Sequence, residues 1–197
     1  MSVTRRLVEE AKNRQVIVFT HEMVFLAALV QEAEAEGVNY LAHTLWRGGD
    51  LQTGVVDQGL PWAGLTTKKR IGSLKERWQK ADKIFRTEGQ KDYEPLATRL
   101  YADLRRTWER AVEEVLLENV VQRFRESVET QRLKRISDVC DADLSAIKAG
   151  MTKCSKWEGG HDHSIASSGP MPNPSELEKD IEALDDWVSG VVKRREK

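Results

Sequence analysis

The 197-residue sequence has only two cysteines, Cys140 and Cys154, too few for a disulfide framework. That scarcity suits a reduced, intracellular setting. An excess of one charge is also missing: 31 Lys and Arg face 32 Asp and Glu, for a formal net charge of -1. This balance argues against a strongly electrostatic nucleic-acid or membrane partner for the chain as a whole and leaves only local patches. The longest apolar stretch, Met23 to Val30, is far too short to span a bilayer. Met1 to Arg6 run directly into a charged helical pattern without the apolar segment of a secretory signal, so a soluble cytoplasmic protein is expected.

Three catalytic motifs are absent. No G-x-x-x-x-G-K-[ST] phosphate loop, no G-x-G-x-x-G fingerprint and no G-x-S-x-G nucleophile elbow occurs anywhere in the sequence. Nucleotide chemistry and serine hydrolysis of those types therefore have no local support.

The most informative stretch that is present is Gln15-Val16-Ile17-Val18-Phe19-Thr20-His21-Glu22. Its four apolar residues suit a strand buried on both faces, as in the middle of a parallel sheet. In open α/β sheets ligands bind beyond the carboxyl ends of strands, which places His21 for chemistry. The bland alternative is a polar residue that happens to leave a strand.

Around this stretch, Val3, Leu7, Val8 and Ala11 recur at helical spacing, and a second helix is expected from about Glu22 to Glu36. The first half of that second helix is apolar almost all round and reads as buried; Gly37 stands where a C-cap belongs. Val38 to Trp46, the turn Gly48-Gly49-Asp50 and Gly54 to Asp57 read as a hairpin, with His43 inside its first strand as a structural histidine. Beyond Trp62 the sequence turns helical. Ile71, Leu74, Trp78, Ala81 and Phe85 predict a helix over Thr67 to Thr87, and Gly89 closes it. A second long helix, starting near Asp92 or Tyr93 and carrying Leu96 through Val120 as a stripe to about Phe124, would be on the order of 45 Å long. Asp141 reads as the N-cap of a helix ending near Trp157, and Ser175 begins a C-terminal amphipathic helix.

The predicted fold is thus α+β and predominantly α-helical: a small α/β remnant of strand plus hairpin, then a long helical hairpin and C-terminal helices. The domain layout is 1-62 for the α/β lobe, 63-158 for the helical subdomain, 159-174 for a linker and 175-197 for the last helix.

Cys140, Cys154, His161 and His163 carry zinc-type donors, with Cys154, His161 and His163 the weak candidates for a metal. Their spacing does not match the closely paired cysteines of common structural sites, so no metal is expected, and Cys154 reads as a small packing residue. Lys68-Lys69-Arg70, Arg105-Arg106 and Arg132 with Lys134-Arg135 are interleaved with Trp78, Trp108 and Phe124 in a way that nucleic acid could use. Acidic residues alternate with them, and a solvated helix face laced with ion pairs is the preferred reading.

Arg5 to Lys12 followed by Gln15 to Glu22 resembles the C-terminal end of an ABC-type ATPase head. The similarity is to large bacterial AAA-annotated ATPases with a coiled-coil insertion, relatives of RecF, the structural-maintenance-of-chromosomes (SMC-like) proteins and the PrrC-type anticodon-nuclease ATPases. Arg106 to Leu117 and Gly150 to Ser155 also look like the C-terminal region of this group. In such proteins an apolar strand ending in Thr-His forms the switch, or H-loop. The resemblance implies nucleotide binding by Thr20 and His21, with His21 as the switch histidine on the γ-phosphate.

Walker A, the signature motif, Walker B and the D-loop lie upstream in that family and are absent here. The resemblance therefore implies a segment that is inactive alone, with ATP and Mg²⁺ as cofactors only when a Walker A-bearing segment completes it. The implied partners are that segment or a second ATPase head, with a homodimer and nucleic acid through the assembly as further options, and no membrane. The implied setting is DNA repair or phage defence. The alternative reading is a helical protein- or nucleic-acid-interaction module without catalysis.

Overall fold

The computed structural model describes residues 2-49, 53-121, 128-158 and 170-196. It is predominantly α-helical with one two-stranded antiparallel sheet, the α+β class read from the sequence. The chain divides into two compact units, Met1–Leu65 and Thr66–Lys197.

In the first unit, α1 (Val3–Ala11) starts where the Ser2 hydroxyl accepts the Arg5 N–H, and it turns Val8 inward. It packs on α2 (Met23–Ala35), and Lys12 reaches Glu36 at 2.5 Å beyond the end of that helix. Gly37, at φ +65°, stops α2 as its position predicts, and the Val38 N–H returns to the Ala33 carbonyl.

The hairpin pairs β1 (His43–Arg47) with β2 (Thr53–Gln58), setting Leu45 opposite Val56 and Trp46 opposite Val55. A bulge follows Trp46, where Gly54 takes φ +85°. The Gly59 N–H donates to the Ala42 carbonyl, and the Thr44 hydroxyl to the Gly59 carbonyl, closing the open end. The first strand is shorter than predicted, beginning at His43 and not at Val38.

Two expectations for this unit fail for one reason. Val16–Thr20 forms no strand, and the first half of α2 is only partly covered, Ala33 being the helix's one buried residue. A strand persists only when its backbone finds a ladder partner. Here β1 and β2 pair with each other, and no third strand exists among the described residues. Val8 and Ala33 are the only buried hydrophobic residues described in this unit, so little apolar surface is available to cover either element.

The second unit has the opposite character. The helix α3 (Thr67–Glu88) begins at Thr66, whose hydroxyl accepts the Lys69 N–H, and ends at Gly89 with φ +93°. Gly89 alone separates it from α4 (Gln90–Ala111), so the two form a helical hairpin. Early α3 meets late α4, Arg70 donating to the Arg106 carbonyl and Arg77 to Asp103, while Phe85 stacks edge-on to Tyr93 near the turn.

The helix α4 is shorter than its apolar stripe predicts. It passes into one π turn over Val112–Leu116, and Glu118 and Asn119 then adopt left-handed backbone, so the α-helical part is about 33 Å and not about 45 Å. The Arg195 guanidinium takes the Leu116 carbonyl at 2.8 Å, satisfying a group that a continuing helix would have used. Phe124, the expected end, lies outside the described residues.

A 3-10 stretch, Thr130–Ile136, precedes α5 (Asp141–Trp157), and α6 (Pro174–Arg195) ends the unit. The N-cap of α5 is Cys140 and not Asp141: the Cys140 N–H donates to the carboxylate of Asp143, three residues on. The core is formed where α6 crosses α3 and α4, around Leu74, Leu104, Leu177, Ile181 and Leu184, all buried. Each contributes roughly 1.5–3 kcal/mol relative to exposure.

Candidate functional site

Thr20, His21 and Glu22 form the entry to α2. The Glu22 N–H donates to the Thr20 hydroxyl at 3.0 Å, a local turn that fixes where the helix starts, and Glu22 is the N-cap without a side-chain cap bond of its own. His21 is exposed between them. Upstream, burial alternates: Val16 and Val18 are partly covered, whereas Ile17 is 69% and Phe19 84% exposed. This is strand-like periodicity without a sheet. The backbone of Val16–Phe19 makes no hydrogen bond to any described residue.

The segment on which the site was predicted is therefore exposed and is not the end of a buried strand. By itself it does not fit a magnesium nucleotide. No glycine-rich loop flanks it, and among the described residues no group of three or more His, Cys, Asp or Glu is placed to hold a metal ion.

The other candidates separate. His43 is exposed at the start of β1, opposite Gln58. Cys154 is buried on α5, where desolvation pushes its thiol up to about 12, so it packs and does not react at neutral pH. His161 and His163 lie outside the described residues. Of the basic groups, Arg106 pairs with Asp103, Arg105 with Glu158 at 2.6 Å and Arg135 with Glu118, ion pairs of the expected kind, whereas Arg70 is buried and donates to the Arg106 carbonyl instead of lying on a solvated face.

One polar cluster among the described residues was not legible as such. Asp143, 2% exposed, accepts hydrogen bonds from the Cys140 N–H, the Trp187 indole N–H at 3.0 Å and the Arg194 guanidinium at 2.8 Å. Burial alone would raise its carboxyl, but the bonds from Arg194, Cys140 and Trp187 together hold it below the usual carboxylate range. Beside it Asp138 bridges Arg194 and Arg195, and the hydrogen bonds of Arg195, with those of Arg194, draw it down to about 2. At the basic end of α6, Lys193-Arg194-Arg195 suit the helix dipole, and Arg194 and Arg195 also reach the acids that flank the start of α5. The cluster fastens α6 to α5, with Asp138 and Asp143 both bonded to Arg194 and Asp138 also to Arg195.

Comparison with protein-family models, with curated proteins and with solved structures gave no match to this chain.

Proposed function

We propose that the chain is a C-terminal segment of an ABC/SMC-like ATPase, carrying the switch histidine at His21 and inactive until another segment supplies the Walker A loop. The observation that supports this reading is the state of Val16–Phe19. Four apolar residues whose backbone bonds no described residue lead directly to an exposed Thr-His, in a unit with little buried core among its described residues. Such a stretch gains most when another sheet takes it in on both faces, which is the environment an apolar parallel strand requires.

Phosphoryl transfer depends on positioning and on neutralising the phosphates, and one histidine supplies neither. The role assigned to His21 is contact with the terminal phosphate of ATP in the completed site, with Thr20 fixing the turn that presents it. The cofactors, ATP and Mg²⁺, belong to that completed assembly. DNA repair or phage defence is the setting proposed for it.

ATP turnover by the isolated chain tests this directly. Turnover is expected at background and unchanged in His21→Ala; turnover above background that disappears in His21→Ala contradicts the proposal.

The second reading, a helical interaction module without catalysis, is favoured by the contrast between the units: the helical one is well packed and its polar clusters are internally satisfied. Association with a Walker A-bearing segment that is indifferent to ATP would support it.

A further inference from the structure

One cleft of the helical unit is lined by groups that the fold itself does not use. It lies between α3 and α6, has a volume of about 160 Å³, and is bordered by Lys75, Trp78 and Gln79 on one helix and Glu178, Ile181 and Glu182 on the other. Trp78 is only partly covered, and its indole N–H is already taken by the Pro174 carbonyl at 2.7 Å. What Trp78 offers the cleft is therefore apolar surface and the π system of its ring. Ile181, buried, continues that apolar floor.

The walls carry an unbalanced charge. Glu178 and Glu182 stand one turn apart on α6, and neither carboxylate has an ion-pair or hydrogen-bond partner among the described residues. Three neighbouring acids of the same helix are paired: Glu176 and Asp180 with Lys153, and Asp185 with Lys75. Lys75, the cation that lines the cleft, is thereby committed to a carboxylate outside the lining. Like charges at i, i+4 work against a helix, and Glu178 and Glu182 both lie past the first turn of α6, where the helix dipole no longer favours them. The local surplus is negative, and it sits beside an aromatic ring.

These features select the occupant. An anion, nucleic-acid phosphate included, is repelled by the two carboxylates. A metal ion lacks ligands, because no group of three or more His, Cys, Asp or Glu able to hold one occurs among the described residues. A cation on an apolar stem suits both walls and floor. Of the two such side chains, arginine stacks its guanidinium on an indole and pairs with carboxylates in the plane of the same group. We propose that the cleft receives an arginine side chain from a basic segment of a partner protein, its stem against Trp78 and Ile181 and its guanidinium shared by Glu178 and Glu182.

The inference goes beyond the nucleotide reading and does not rest on it, since every residue it uses belongs to the helical unit. The full chain, labelled with ¹⁵N, is titrated with a short acetylated and amidated glycine–arginine–glycine peptide. The Trp78 indole N–H signal, assigned from its loss in Trp78→Phe, is expected to shift and saturate in the range of about 1–10 mM. The same peptide with norleucine in place of arginine should leave that signal where it is. Glu178→Gln combined with Glu182→Gln should weaken the arginine peptide by on the order of tenfold at an unchanged melting temperature. Asp186→Asn removes an acid of the same helix outside the cleft and should leave binding intact. No saturable shift, an equal response to norleucine, or equal weakening by Asp186→Asn overturns the proposal.

Discussion

Individual residues divide between those that seal the helical unit and those that wait in the other. Gly150 on α5 lies against the Trp108 indole, which itself stacks on Trp187 at 5.2 Å. A Cβ at Gly150 would land on that ring, so Gly150→Ala should lower stability by about 1–3 kcal/mol in urea unfolding although alanine is the better helix former. Asp143→Ala removes the acceptor shared by the Arg194 guanidinium and the Trp187 indole; Arg194 keeps Asp138 and partial solvent access, so about 1–3 kcal/mol should be lost. Asp138 links stability to pH. Its carboxyl is lowered to about 2 by Arg195 and Arg194, so the contribution is full above the ordinary carboxylate range and disappears as pH falls through about 2. Asp138→Asn should cost on the order of 1–2 kcal/mol at pH 6, allowing for solvent screening, and should flatten the fall in urea midpoint between pH 5 and pH 2. None of this was legible beforehand. Basic residues at a helix end are read as dipole partners, and nothing in spacing alone tells that Arg194 and Arg195 fold back onto Asp138 and Asp143.

Helical elements were read well because their signals are local. The period of Ile71, Leu74 and Ala81 and the breaks at Gly37 and Gly89 act within a few residues, and the structure uses each of them. Asn173 caps α6 by accepting the Glu176 N–H at 3.0 Å, and Asn173→Ala should cost about 1 kcal/mol in thermal or urea unfolding. Two elements were misread for the complementary reason. The apolar stripe past Trp108 predicts continued helix, but Glu118 and Asn119 turn left-handed where Arg195, from the far end of the sequence, takes the Leu116 carbonyl. Val16–Thr20 has the composition of a buried strand, yet a strand is a property of a pair of segments, and the second member is not among the described residues. The His21 site was therefore legible as a residue and a position in the chain, but its surroundings were not.

At the scale of the whole molecule, the contrast between the units is the central observation. The helical unit buries Leu74, Leu104, Leu177, Ile181 and Leu184, whereas the first unit buries only Val8 and Ala33 among its described hydrophobic residues. Hydrogen exchange should reflect this: amides of α4 and α6 exchange only on global unfolding, while those of α1, α2 and the hairpin exchange faster by two or more orders of magnitude. Leu104→Ala should accelerate the first group, with a loss of about 2–5 kcal/mol, and leave the second unchanged. The same contrast underlies the functional account, in which a poorly covered lobe presents Thr20 and His21 to a segment that completes it. The most direct test is binding of the chain to a polypeptide carrying the Walker A loop and signature motif of such an ATPase head, measured with and without ATP and Mg²⁺. The account predicts association strengthened at least tenfold by nucleotide and a loss of that gain in His21→Ala. Association that ignores both nucleotide and His21, or no association at all, would contradict it.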